Sequence, residues 1–426
     1  MSPFIRQIQS RKGGLLFLRL IHPIEKSPTS PLSTLPKSSG DHVVDPHFRK
    51  SKSGGSARLL SLDIFRGITV AKFFWVIQNM PCRLTATGKA IHRALKLLIL
   101  GLFLQGGYFH GIKNLTYGVD IERIRWMGIL QRIAISFLLA AMCEIWLKGD
   151  NKVNSGQSLL KRYHQQWAMA IMVTALYLSL FYGLYVPDWE YQMPMDISSS
   201  EAKIFTVKCG VRGDSGPACN AVGMIDRKIL GIQHLYERAI YGRSKECSVN
   251  SPNNGPLPLD APSWCQAPFD PEGLLSSLMA IVTCFIGLHY GHIIVHFKLT
   301  YFVAPHPNVF QDHKVRIQQW LVPSSCLVLL GVTCDCLGMH ANKVLYSFSY
   351  MCITAGSAGF LFTAVYMMVD VWGYRHWTTI LKWMGTNALL IYILVSCNIL
   401  PVLLQGFYWR RPENNILTMI GVGPKK

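Results

Sequence analysis

The chain has 426 residues, half of them hydrophobic and only 15% charged, with a mean hydropathy of +0.24. Apolar runs of about twenty residues recur, the length that crosses a bilayer. A soluble globular protein is excluded, and the composition points to an all-α, polytopic transmembrane bundle. The net charge of +19 is scattered between the runs rather than gathered on one basic domain. That argues for Lys- and Arg-rich cytosolic loops and against a nucleic-acid partner.

In chain order, residues 1–57 read as a disordered cytosolic tail. Residues 26–57 are rich in Ser, Pro, Gly and Lys. The apolar patch Leu15–Leu18 is ended by Arg19, too short for a secretory signal. Residues 58–426 form the transmembrane domain. Its first apolar segment, Leu59 to Met80, has basic flanks on both sides. Basic flanks prefer the cytosol, and one crossing cannot leave both its ends there, so either this segment does not span or a crossing and its loop are missing. The segment also carries Asp63, Arg66 and Lys72. Asp63 and Arg66 lie three apart on one helix face and can pair, either as a structural ion pair at a helix end or at an active-site mouth.

The further spans are Ile91–Tyr108, Trp126–Leu147, Trp167–Val186, Leu274–Phe297, Trp320–Leu337, Val344–Val371 and Ile380–Leu404, about eight in all. From the second span onward, loop charges give a consistent topology. Loops 81–94, 148–166 and 298–319 are basic and inside. The long loop 187–273 holds eight Lys/Arg and eleven Asp/Glu, 8 − 11 = −3, and falls on the lumenal side.

Four of the twelve cysteines, Cys209, Cys219, Cys247 and Cys265, share that loop. This fits disulfides in an oxidising compartment, with three connectivities open and free thiols as the alternative. The remaining cysteines read as small packing residues. No zinc spacing occurs, and no metal is expected. His289, His292 and His296 can share a helix face, but no carboxylate stands near them in sequence, so they read as interfacial histidines at the inner end of a span.

His110, at an outer helix end, can serve as acid or base or simply cap a helix. Arg125 stands at a membrane edge, whereas Gln131 and Arg132 lie deeper in the span and need partners or a pore to line. Asp226 and Arg227 either hold the outer loop to the helices or meet a substrate. Asn387, beside Gly385 and Thr386, serves helix packing or a donor contact. Asn114-Leu115-Thr116 is a glycosylation sequon close to the membrane.

Several longer stretches stand in a telling order: RLLSLDIFRG (58–67), GLFLQGGYFHG (101–111), RIRWMGILQRIAI (123–135), YVPDWEY (185–191), CNAVGMIDRKILGIQHLY (219–236), APFDPEGLLSSL (267–278) and WMGTNALLIY (383–392). Together they resemble the heparan-α-glucosaminide N-acetyltransferase family, in its plant-type form, from residue 58 to about 415. The resemblance implies a multi-pass acyltransferase that takes acetyl from cytosolic acetyl-CoA to an amino sugar in a lysosomal or vacuolar lumen. Acetyl-CoA is then a co-substrate, the lipid bilayer and a small amino-bearing acceptor are the partners, and a homodimer is left open. Asp63, Arg66, Arg125, Gln131, Arg132, Asp226 and Arg227 become substrate or pore candidates, and Asn387 a CoA contact.

The family's catalytic histidine belongs to an H-x-x-W motif in the first lumenal loop, and here the chain departs from it. FRGITV runs almost directly into FFWVIQNMPCR, so that loop is absent. The only H-x-x-W, His164 to Trp167, sits at a basic inner boundary. The family's further C-terminal helices are also absent after ENNILTMIGVG (413–423). The catalytic residue is thus unassigned, with His110 as substitute candidate. Two readings remain: an acyltransferase, incomplete or inactive as written, or a non-enzymatic member such as a pseudoenzyme or transporter. The topology is directly testable. A cysteine probe at Ser155 is expected to react with a membrane-impermeant reagent from the cytosol and one at Ser199 to be spared; the reverse pattern rejects the arrangement.

Overall fold

The computed structural model describes residues 83–105, 124–149, 156–192, 204–236, 239–242, 244–251, 256–297, 309–374, 383–385 and 387–397. The tail 1–57, Asp63, Arg66, Lys72, His110, Asn114 and everything after 397 lie outside them.

The long helices are α1 (Arg83–Gln105), α2 (Ile129–Trp146), α4 (His164–Gly183), α6 (Leu274–His296), α7 (Val309–Cys336) and α8 (Phe348–Tyr366). A short α3 (Gly156–Arg162) precedes α4, and α5 (Ala221–Leu230) lies in the long connection. Near the C-terminal side is α9 (Ala388–Ser396). Among the described residues, five helices are long and apolar enough to cross a membrane: α2, α4, α6, the 313–336 part of α7, and α8 with its π-helical continuation to Val371. The molecule is a polytopic helical bundle, and a multi-pass membrane protein.

Helix α6 is its centre, packing against α2, α4, α5, α7 and α8, while α1 lies on α2 and α7 on α8. It buries Met279, Phe285, Leu288 and Ile293 in the main core, where Phe137, Tyr177, Trp320 and Phe362 join them. Successive helices alternate in direction, so the bundle has a loop end, carrying 187–273, and an opposite end with shorter connections. Helices α2 and α6 run parallel, both starting at the loop end.

Several boundaries differ from the sequence reading. The basic stretch 81–94 is not a loop: α1 starts at Arg83 and carries Arg83, Lys89, Arg93 and Lys96 within it. Helix propensity of Lys and Arg outweighs their polarity there, and the stems can lie along apolar surface. Likewise α7 starts at Val309, inside the expected loop 298–319, and continues through Pro323. The expected loop 148–166 holds α3. Asn387 does not sit inside a continuous helix but just before α9, its Nδ2 donating to the Trp383 carbonyl at 3.1 Å.

The long connection is folded. Trp189–Gln192 (β1) pairs antiparallel with Ile204–Val207 (β2), Trp189 opposite Val207. Val186, Tyr191, Val207, Ala218, Met224 and Ala267 make a small second core. The structure pairs Cys209 with Cys219 and Cys247 with Cys265. Each closes a short ring, worth about 3 kcal/mol by loop closure. Non-reducing peptide mapping is expected to recover these two linked pairs, and any crossed pairing among the four cysteines contradicts the loop's fold.

Candidate functional site

The residues singled out in the sequence collect where the long connection meets α2 and α6. The segment 124–128 leads extended into α2, because Gly128 has φ −178° and ψ −178°. It holds Arg125, whose Nε donates to Asp270 Oδ2 at 2.9 Å and whose Nη2 lies 2.5 Å from both Asp270 Oδ1 and Glu272 Oε2. Burial works against the guanidinium's charge. The hydrogen bonds and charges of Asp270 and Glu272 outweigh it and raise the pKa. Arg125 is thus clamped between two carboxylates. Its Cζ also stands 4.7 Å over the Tyr236 ring.

Asp226 projects from α5 and reaches the start of α6. Its Oδ1 accepts from the Leu274 backbone N–H at 2.8 Å, acting as a cap from a different helix. Gly273 is required there, since a Cβ at that position would overlap the Asp226 carboxyl. Asp226 is fully buried, and its Oδ2 has no hydrogen-bond partner among the described residues. Burial raises its pKa to about 7, against the cap hydrogen bond, which lowers it, and with the nearby Asp270 charge, which raises it. Arg227 is half-buried, and desolvation lowers its pKa to about 10. It stacks 3.7 Å over Trp189 and donates to the Ala218 carbonyl at 3.3 Å, tying α5 to the hairpin.

Arg132, one turn into α2, donates to the Pro271 carbonyl at 3.5 Å and lies 5.2 Å over the Tyr346 ring. Tyr346 adopts φ +50°, a left-handed conformation costing about 1–2 kcal/mol for a non-glycine residue. That turn aims its ring at Arg132 and its hydroxyl to within 3.2 Å of Thr283 Oγ1. Gln131 is buried and packs against Gly101 of α1.

The sequence reading missed three residues at this junction: Asp270, Glu272 and His234. Gly231, at φ +86°, ends α5 and starts a 3₁₀ turn over Ile232–His234. His234 Nδ1 lies 2.7 Å from the Ile124 carbonyl, and its ring is 5.6 Å from that of Trp126, which is 43% exposed. The available signal was that all three stand within quoted motifs. Asn387 is not among the residues that meet here.

A second polar cluster lies at the opposite end. Glu144 of α2 is 1% exposed. Its Oε2 accepts from His292 Nε2 at 3.0 Å and from Gln166 Nε2 at 2.7 Å. Tyr163 stacks on His292 with ring centroids 3.7 Å apart, and its hydroxyl shares a 2.9 Å hydrogen bond with His296. Trp167 meets His289 edge-on. The expectation of interfacial histidines without a carboxylate is therefore corrected. His289 and His292 are buried, and the carboxylate comes from another helix, about 150 residues earlier, beyond any local pattern. Among the described residues no group of His, Cys, Asp or Glu has metal-holding geometry.

These features define a polytopic helical membrane protein with a polar junction between its helices and one long, folded connection. No family model matches the chain. It is similar to heparan-alpha-glucosaminide N-acetyltransferase of Homo sapiens, 24% identical over 359 residues, covering 80% of this chain and 46% of that protein. It is also similar to the Mus musculus enzyme of the same name, 25% identical over 335 residues, 75% of this chain and 43% of that one. The chain spans under half the length of these curated relatives. With the ordered motifs, these similarities support its membership of the heparan-alpha-glucosaminide N-acetyltransferase family.

The buried Asp226 gives a pH test. Its folded pKa lies above the unfolded value, so folding favours the protonated form. The stability it contributes is full below about pH 4 and is lost as pH rises through about 7. Asp226→Asn keeps the cap acceptor and cannot ionise. Thermal unfolding in detergent is expected to fall more steeply between pH 5 and 7.5 in the unmodified chain than in D226N, with D226N a few degrees more stable at pH 8, about 1 kcal/mol. Parallel pH profiles contradict the buried-acid account.

Proposed function

We propose that this chain is a membrane acetyltransferase of the family's type, moving acetyl from acetyl-CoA to the amino group of a sugar at the loop end. The observation carrying this reading is convergence. The stretches 123–135, 219–236 and 267–278, far apart in sequence, deliver Arg125 and Arg132, Asp226 and His234, and Asp270 and Glu272 to one junction. The exposed Trp126 beside His234 suits a cationic sugar, whose ammonium and ring face both favour an aromatic surface.

The opposite end suits the donor. Lys148 and, in α3, Lys161 and Arg162 lie there, the sign that attracts polyanionic CoA. CoA cannot cross a bilayer, so donor and acceptor meet within the bundle. We assign the loop end to a lysosomal or vacuolar lumen, in keeping with the acidic balance and two disulfides of 187–273. The amine nitrogen attacks the thioester carbonyl. A C–N bond forms, the C–S bond breaks, and the ammonium gives up two protons, one to the CoA thiolate and one to a base.

The family's H-x-x-W segment is absent from this sequence, so turnover at a family-like rate is not expected. One positioned acid–base residue is worth ~10²–10⁴-fold. That absence is also what favours the alternative, a non-enzymatic pseudoenzyme or small-molecule transporter. Purified protein in detergent is to be assayed for acetyl-CoA hydrolysis and for transfer to glucosamine, beside a version with a family-type first loop and second crossing restored after Val70. The restored version is expected to gain ~10²-fold or more. No transfer by either version rejects the acetyltransferase reading, and equal transfer by both moves the catalytic residue elsewhere in the chain.

A further inference from the structure

His234 is fixed in one tautomer. The Ile124 carbonyl, 2.7 Å from Nδ1, can only accept, so Nδ1 carries the proton and donates. In the neutral ring that leaves Nε2 with its lone pair. Nε2 has no hydrogen-bond partner among the described residues, and the side chain is only half-buried. The ring is held by its surroundings rather than free to rotate. Gly231 sets the 3₁₀ turn that bears it, Leu235 after it is buried, and Tyr236 lies beneath Arg125. Segment 231–236 is thereby pinned along 124–126, beside the Arg125 clamp on Asp270 and Glu272. Trp126, with its exposed ring centred 5.6 Å from the imidazole and tilted 56° to it, supplies an apolar wall beside His234.

From this geometry we infer that His234 receives the acceptor's amine at the loop end, its Nε2 taking one proton from the ammonium while Trp126 backs the sugar ring. The inference deepens the acetyltransferase reading and rests on it for the transfer step, but the amine site stands on the junction alone. The chemistry balances. R–NH₃⁺ gives one proton to Nε2, and the free amine attacks the thioester carbon. The second nitrogen proton leaves with the CoA thiolate, and the imidazolium returns its proton to the medium. An amine flanked by electron-withdrawing ring carbons is less basic than a lysine, which brings that first transfer within reach of an imidazole. The buried pair His289 and His292 has no such role at this end, since both belong to the opposite cluster.

The full chain in detergent at pH 7.5 is to be treated with diethyl pyrocarbonate, which acylates accessible neutral imidazoles, and read by peptide mass spectrometry. His234 is expected to react readily and buried His292 to stay unmodified. Glucosamine should slow modification of His234 at least severalfold, and N-acetylglucosamine, which lacks the ammonium, should not. A His234 that is unreactive, or equally reactive with and without glucosamine, overturns the inference. Transfer to glucosamine is then compared with His234→Asn, whose amide can keep the bond to Ile124 and cannot act as a base. H234N is expected to unfold at the wild-type temperature and to lose ~10²-fold in rate, with partial rescue by added imidazole. A wild-type rate in H234N overturns the base role. Protection of His234 by glucosamine without transfer in any version supports the amine site and rejects the acetyltransferase reading instead.

Discussion

The parallel pair α2–α6 is the constraint on which the rest of the molecule hangs, because polar ties pin it at both ends. At the loop end Arg125 grips Asp270 and Glu272, and at the other end Glu144 accepts from His292. Helix α6 has 23 residues and so rises roughly 34 Å at about 1.5 Å per residue. Between the ties lies apolar packing that by itself leaves rotation and sliding poorly determined, since Leu, Ile and Phe side chains meet lipid and neighbouring helices on similar terms. Buried ionisable groups are different. Leaving one without a partner in a span costs several kcal/mol, so any register that breaks a tie is strongly disfavoured.

The other elements inherit that register. Helix α4 enters beside the lower tie, with Gln166 on Glu144 and Tyr163 on His292. Helix α5 is attached at the upper tie by Asp226, which caps α6, and the hairpin is attached to α5 by Arg227 over Trp189. The start of α8 is drawn in through Tyr346, whose left-handed backbone is held by contacts with Arg132 and Thr283. The folded connection is therefore continuous with the bundle's polar junction, not a separate cap above it. That continuity explains why the stretches resembling the acetyltransferase family include both helix starts and pieces of the connection. They are opposite faces of one set of contacts.

Legibility varied with the range of the interaction. Arg125, Arg132, Asp226 and Arg227 stood out because charge and polarity near a span demand an explanation. Their partners did not. Asp270 follows Arg125 by 145 residues, and nothing local announces that the two meet. Glu144 passed unnoticed because one carboxylate near the end of an apolar run reads as an interfacial group, and the histidines that neutralise its isolation come from α6. Helix starts at Arg83 and Val309 were misplaced because polar residues in the first turns of a long helix look like loop in a hydropathy pattern.

The sequence by itself determined that this is a multi-pass helical membrane protein, that its long connection has an acidic balance and holds four cysteines, and which family its motifs resemble. These are properties of composition and of spacing along the chain, with periods and run lengths that survive without knowledge of what lies opposite. Only the tertiary structure decided which cysteines pair, that α2 and α6 run side by side, that Asp226 caps a helix far from its own, and that His234 and Glu144 belong to polar clusters at opposite ends. Each of those depends on contacts between residues distant in sequence. A buried polar group states that it needs a partner, and the folding of the whole chain settles which one it gets.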